Sequence, residues 1–163
     1  MSAVLIALHD GADGPEVLLT RRSRALRNHA GEISFPGGRV DPGETVVDTA
    51  LREAHEEVGL EPTRPVVLGE LSHLSTVVSR SYIVPIVSRL DDPPPLRAET
   101  GEVDRVMWTP ISELTAPGVY HRERWGSPPM SRWLHFFELE DETVWGATAH
   151  MLVELLTAQR PDR

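Results

Sequence analysis

The chain has 163 residues, 40% of them hydrophobic, and a formal net charge of -9. That is enough apolar material for a domain with a real core, and the acidic balance argues against general nucleic-acid or membrane-surface binding. All 16 basic residues are Arg and Cys is absent, which excludes Schiff-base chemistry, a Walker-type phosphate loop, disulfides and thiolate chemistry. No apolar run approaches the length of a membrane-spanning helix, and the N-terminus lacks a basic flank and a cleavage site, so a soluble, cytoplasmic protein is expected.

In chain order, Ala3 to Leu8 is apolar and is expected as a buried strand. A second strand over Glu16 to Thr20 follows the turn Asp10-Gly11-Ala12-Asp13-Gly14, so the chain opens on a hairpin. Arg21, Arg22, Arg24 and Arg27 then form the one concentrated basic patch. Arginine suits phosphate, bidentately and without loss of charge, although an exposed basic loop would also keep an acidic chain soluble.

From Glu44 to Val58 there is no Gly or Pro, and a helix is expected. Asp41 is read as its cap, Pro42 as its first position, Glu44 as the capping-box partner and Gly59 as its stop. Val47, Ala50, Leu51, Ala54 and Val58 make one apolar stripe. Further strands are expected over Val66 to Leu74, Tyr82 to Val87, Val103 to Thr109 and Trp133 to Glu138. A short helix is expected over Pro110 to Leu114, a long loop over Thr115 to Ser131, and a final helix over Trp145 to Gln159. This order predicts an α+β fold, a mixed β-sheet between helices, in one domain over residues 1–163.

The chemistry concentrates on the first helix. Glu53, Glu56 and Glu57 share an arc of about 100° beside the apolar stripe. Arg52 can reach Glu56 one turn on, but a divalent cation offsets three clustered carboxylates better. Hard oxygen ligands suit Mg2+ or Mn2+, which hold phosphate oxygens in their remaining positions. An EE pair alone reads as an ordinary solvated helix face.

The full spacing adds more. Gly38, Glu44, Arg52, Glu53, Ala54, Glu56, Glu57, Gly59 and Leu60 fit G-x5-E-x7-R-E-U-x-E-E-x-G-U at every fixed position, with Ala54 where a larger aliphatic is common. The stretch resembles the Nudix box of hydrolases that cleave a nucleoside diphosphate linked to another moiety. The resemblance implies an α/β/α sandwich. Upstream, Leu18, Leu19, Thr20, Arg22, Ser23, Arg27, Gly31, Phe35, Pro36, Gly37 and Gly38 match the added signature of the coenzyme A pyrophosphatase branch. The run Trp145 to Ala149 also looks like a late motif of that branch. The chain begins almost directly at the first strand, where relatives often carry a longer N-terminal lead.

What the resemblance implies is a metal-dependent hydrolase of the CoA pyrophosphate. Glu53, Glu56, Glu57 and the Gly37 carbonyl would hold Mg2+ or Mn2+, with Arg52 orienting Glu53 or Glu56. The general base stays open between Glu53 and a loop glutamate, Glu102 or Glu99. Arg22 or Arg27 would take the separate 3′-phosphate, and an Arg22→Ala protein is expected to lose more on CoA than on a substrate without that group. His29 and Gly38 are further substrate-side candidates, although His29 also suits a turn. His55 is expected to be exposed, and Trp125 is the tryptophan best placed to stack on adenine or cover the pantetheine arm. The expected partner is a small-molecule nucleotide, with neither nucleic acid nor membrane, and a homodimer stays open. A hydrolase of ADP-ribose or NADH would share the box. A non-catalytic nucleotide sensor would usually have lost the box glutamates, which are intact here.

Overall fold

The computed structural model describes residues 1–77 and 80–158. Strands β1 (Ser2–Gly11) and β2 (Gly14–Arg22) form the antiparallel hairpin that the opening apolar runs predict. Strand β1 is apolar from Ala3 to Leu8 because both of its faces are covered, Ala3, Leu5 and Ala7 by one core cluster and Ile6 by another. Next come β3 (Ile33–Ser34), β4 (Gly37–Arg39), helix α1 (Val46–Val58), β5 (Val66–Glu70), β6 (Leu74–Ser75), β7 (Tyr82–Arg89) and β8 (Val103–Pro110). These strands make one 8-stranded mixed sheet. Strand β7 lies parallel to β1, and the other pairings are antiparallel.

Helix α2 (Ile111–Leu114) leads into a second, 3-stranded antiparallel sheet of β9 (Tyr120–Trp125), β10 (Arg132–Glu138) and β11 (Thr143–Trp145), followed by helix α3 (Gly146–Ala158). Helix α1 packs on one face of the large sheet, where Ala50, Ala54 and Val58 meet Ala3, Leu5, Ala7 and Ile86. Alanines on both sides allow close approach of helix to sheet. Leu152 and Leu155 of α3, Phe137 of β10 and Leu114 of α2 cover the other face over Ile6, Val17 and Leu19. Each such fully buried aliphatic or aromatic side chain contributes roughly 1.5–3 kcal/mol. This is the expected mixed sheet between helical layers.

Three expectations need correction. The segment Thr115–Ser131 is not a continuous loop, because β9 pairs with β10 from Tyr120 opposite Phe137 to Trp125 opposite Arg132. The stretch from Val66 to Leu74 is not one strand. The β5–β7 ladder shifts register between Val67 and Gly69, and the Ser72 N–H leaves the ladder for Glu154 Oε1 at 2.8 Å. Trp145 is the last residue of β11, opposite Phe136, so α3 starts at Gly146. The expected end of α3 at Gln159 lies outside the described residues.

Candidate active site

Helix α1 starts one turn later than the spacing suggests. Its N-cap is Thr45, which exchanges hydrogen bonds with Asp48 in a capping box. Such a cap contributes about 1 kcal/mol. Asp41 and Glu44 still bond to each other, closing a separate turn ahead of the helix. Gly59 ends the helix in the left-handed conformation, φ 75°, where its N–H returns to the last turn.

The Glu44 carboxylate, whose Oε2 accepts the Asp41 N–H at 3.2 Å, is also the partner of Arg52. Arg52 Nε donates to Glu44 Oε1 at 2.6 Å and Nη2 donates to Oε2 at 3.0 Å, a bidentate pair, and the Thr49 hydroxyl donates to Oε2 at 2.7 Å. The Arg52 bond, with that of Thr49, takes the Glu44 carboxyl down to about 2. From this anchor, Arg52 Nη1 reaches Glu53 Oε1 at 3.0 Å and Glu56 Oε2 at 3.3 Å, and Nη2 reaches the Arg39 carbonyl at 3.2 Å. Arg52 therefore fixes two box glutamates at once, through a partner eight residues back that helical spacing rules do not suggest. An Arg52→Lys protein keeps the charge but loses the fork. It is expected to lose about 10- to 100-fold in kcat, a size usual for residues that orient a site's ligands. Steady-state kinetics check this, and full activity in the Lys variant would remove the positioning role.

Glu57 lies on the buried side of α1, only 6% exposed. Its Oε2 accepts the Gly37 N–H at 3.3 Å. Burial, reinforced by the charge of Glu53, pushes its carboxyl up to about 8. Burial also raises the Glu53 carboxyl, against the lowering effect of Arg52. Glu56 is more open, its side chain 51% exposed, and His55 is exposed as expected. The Phe35–Gly38 turn is fastened beneath these carboxylates. Gly37 and Gly38 pair with Val4 and Ala3 of β1, and the Leu5 N–H donates to the Pro36 carbonyl at 2.8 Å. A side chain at Gly38 would overlap the Glu53 carboxylate, so this glycine makes room for that group.

Two residues outside the box join the cluster. The charge of Glu102, an exposed residue just before β8, acts on both Glu53 and Glu57, and its carbonyl accepts the Ser23 N–H at 2.7 Å. Arg22, at the end of β2, lies close enough to stabilise the Glu57 carboxylate, and its Nε is buried without a hydrogen-bond partner. Alternation along β2 sends Arg21 to the other face, where it bonds to Asp104 at 2.7 Å and Glu142 at 2.6 Å. The Glu99 N–H donates to the Glu57 carbonyl at 2.9 Å, while its carboxylate pairs with Arg97 at 2.7 Å and lies over Gly59 at the C-terminal end of α1. Arg27 is exposed in the following loop. His29 has a positive φ of 55° and pairs with Glu32 at 2.9 Å, which is a turn role. It also lines a cavity of about 430 Å³ with Ser34, Leu74, Ile83, Arg132 and His135.

The donor set suits a hard divalent cation. Glu57 and Glu53 are carboxylates partly or wholly withdrawn from water, with too little positive charge nearby to hold them in their usual range. Among the described residues no three His, Asp or Glu side chains are gathered closely enough to hold a metal ion between them, and Arg52 bonds to Glu53 and Glu56.

A sequence comparison decides the family. The NUDIX domain family matches residues 1–134. The chain belongs to the Nudix family. Among similar Nudix proteins is "Uncharacterized Nudix hydrolase NudL" of Photorhabdus laumondii, 37% identical over 143 residues, covering 86% of this chain and 75% of that one. "Nudix hydrolase 3" of Caenorhabditis elegans is 36% identical over 174 residues, covering 94% of this chain and 70% of that one. A solved Ap4A hydrolase from C. elegans shares the Nudix fold, with TM-score 0.59 and 21% identity over 68% of this chain and 80% of that one. Glu53, Glu56 and Glu57 therefore sit on a helix of a Nudix domain.

Proposed function

We propose that this Nudix hydrolase cleaves the pyrophosphate of coenzyme A, or of its oxidised or acyl forms, to 3′-phosphoadenosine 5′-phosphate and 4′-phosphopantetheine. The observation that carries the reading is Arg22. It belongs to the Leu18–Gly38 motif, yet its positive charge acts on Glu57 of the box and its Nε is buried without a partner. The two motifs thus meet in one site, a cation next to clustered acids, as a pyrophosphate needs.

Glu53, Glu56 and Glu57, with the Gly37 carbonyl, would hold Mg2+ or Mn2+, which when bound neutralises phosphate charge and lowers the pKa of water. The chain's own groups do the rest. Arg52 holds Glu53 and Glu56 in place from Glu44. Arg22 faces a phosphate oxygen. A carboxylate takes one proton from the attacking water, whose oxygen bonds to phosphorus while the bridging P–O bond breaks and its electron pair leaves with the departing phosphate. Glu53 is tied to Arg52, whereas Glu102 stands free at the exposed edge of the cluster, and this favours Glu102 as the acceptor.

Arg22 beside Glu57 belongs with the pyrophosphate, which leaves Arg27, exposed on the adjoining loop, for the 3′-phosphate. Arg27→Ala is expected to lower kcat/KM about 10-fold on CoA, the scale of one charge-assisted hydrogen bond, with dephospho-CoA changed less than twofold. Arg22→Ala, expected from the sequence alone to cost more on CoA, is with Arg22 assigned to the pyrophosphate expected instead to lower both alike. Kinetics on the two substrates test this, and equal losses for Arg27→Ala would contradict it.

A further inference from the structure

Strand β2 reaches the acidic cluster through a distortion. Its ladder with β8 runs in register as far as Arg21 opposite Arg105, then slips, so that Arg22 stands opposite Val103 and Asp104 is left over. This is a β-bulge, a device that re-aims the side chains beside it. The side chain just beyond it is Arg22, whose Nε is buried without a partner. The Arg22 backbone is held on its other edge, where its N–H donates to the Glu32 carbonyl at 2.8 Å and its carbonyl accepts the Gly31 N–H at 3.0 Å.

The bulge carries an electrostatic problem. Arg21 and Arg105 face each other across the ladder, and like charges directly opposite destabilise a sheet. A carboxylate from the second sheet offsets this. Glu142, in the turn between β10 and β11, accepts at one oxygen, Oε1, from Arg21 Nη1 at 2.6 Å and from Arg105 Nη1 at 3.0 Å. Its side chain is only 8% exposed, so water does little to screen the three charges. Asp104, the left-over residue, accepts from Arg21 Nε at 2.7 Å and from the Arg24 N–H at 3.4 Å, which closes the bulge from the outside. Asp141 accepts from Arg105 at 2.6 Å.

We infer that Glu142 is a positioning residue for Arg22, because it holds the two opposed arginines together and through Arg21 sets where the next side chain, the Arg22 guanidinium, stands. The small sheet thus serves the site through the backbone of β2 rather than by touching substrate. The inference rests on the assignment of Arg22 to the pyrophosphate.

The test is a double-mutant cycle on kcat/KM, with CoA and Mg2+, over wild type, Glu142→Gln, Arg22→Ala and the protein with both changes. Glu142→Gln keeps the size and an acceptor but loses the charge. It is expected to lower kcat/KM about 10-fold, the scale of residues that orient the groups of a site, and to add less than about twofold once Arg22 is Ala. Combining Arg105→Gln with Glu142→Gln removes the opposed charges together and is expected to regain most of the loss. Full activity in Glu142→Gln would overturn the inference. So would a loss that persists undiminished in the Arg22→Ala background, since that is what a merely structural residue does. Calorimetric Mn2+ binding repeats the cycle without substrate. Arg22→Ala and Glu142→Gln are each expected to tighten Mn2+ about threefold by withdrawing a cation from the acidic cluster, and the two together no further. Additive effects would again overturn it. If ADP-ribose or NADH is cleaved and CoA is not, the coenzyme A reading fails and the cycle is read on that substrate. If none is cleaved, the Mn2+ cycle decides.

Discussion

Glu57→Gln is expected to lower kcat/KM on the order of 1,000-fold while making the metal-free protein more stable. The activity loss follows from removing a ligand charge at the centre of the acidic cluster. The stability gain follows from burial, since the wild-type carboxyl is 6% exposed and pushed from 4.5 up to about 8. The native state therefore holds a proton on Glu57 at pH values where the unfolded chain has lost it. Stability contributed below pH 4.5 is lost as pH rises toward 8, by roughly 1.4 kcal/mol per unit at most. Gln is neutral, keeps an acceptor for the Gly37 N–H, and removes that dependence. Thermal melts in EDTA from pH 5 to pH 8 should fall for wild type and stay flatter for Glu57→Gln. Added Mg2+ should raise the wild-type midpoint at pH 8 and leave the variant almost unmoved. A variant that melts lower than wild type in EDTA at pH 8 would show that Glu57 has a partner that offsets its burial.

Gly37→Ala should be the most damaging small substitution in the fold. A Cβ at Gly37 would overlap the Ala3 carbonyl oxygen and stand 2.7 Å from Val4 Cγ1 and 2.8 Å from Val4 Cα. Two of these are backbone atoms of the central strand, so β4 must lift away from β1. Overpacking of this kind costs about 1–3 kcal/mol, and the shift also withdraws the Gly37 N–H from Glu57. Gly38→Ala is the paired control. Its Cβ first meets the carboxylate of Glu53, the far end of a flexible side chain. It is expected to keep nearly the wild-type melting temperature while losing activity, because Glu53 is displaced. Denaturant unfolding and kinetics on both proteins check the contrast. Equal stability of the two variants would mean that the β1–β4 contact yields more easily than its geometry implies.

The site was legible in the sequence to the extent that it is local. Gly59 and the helical spacing of Glu53, Glu56 and Glu57 set the acidic face, and the apolar stripe set which side of α1 is buried. The helix start was misread because two turns compete. Asp41 and Glu44 satisfy the capping pattern and do bond, yet the helix begins at Thr45 with Asp48, an acid less usual at that position than Glu or Gln. Arg52's anchor was hidden because Glu44 lies outside the helix, eight residues away. Strand β9 was hidden for another reason. Tyr120 to Trp125 carries charged or polar side chains on both faces and has no apolar alternation to read. The stacking of Phe136 with His121 and Trp145 depends on the register of three consecutive strands, which the residues of β9 do not announce.

The most direct test of the central claim is product analysis by mass spectrometry after incubation with CoA, ADP-ribose and NADH, each with Mg2+, with Mn2+ and with EDTA. The expected result is metal-dependent release of 4′-phosphopantetheine and 3′-phosphoadenosine 5′-phosphate from CoA, with little turnover of the other two and about 1,000-fold less by Glu57→Gln. Cleavage of ADP-ribose or NADH with CoA left intact would contradict it.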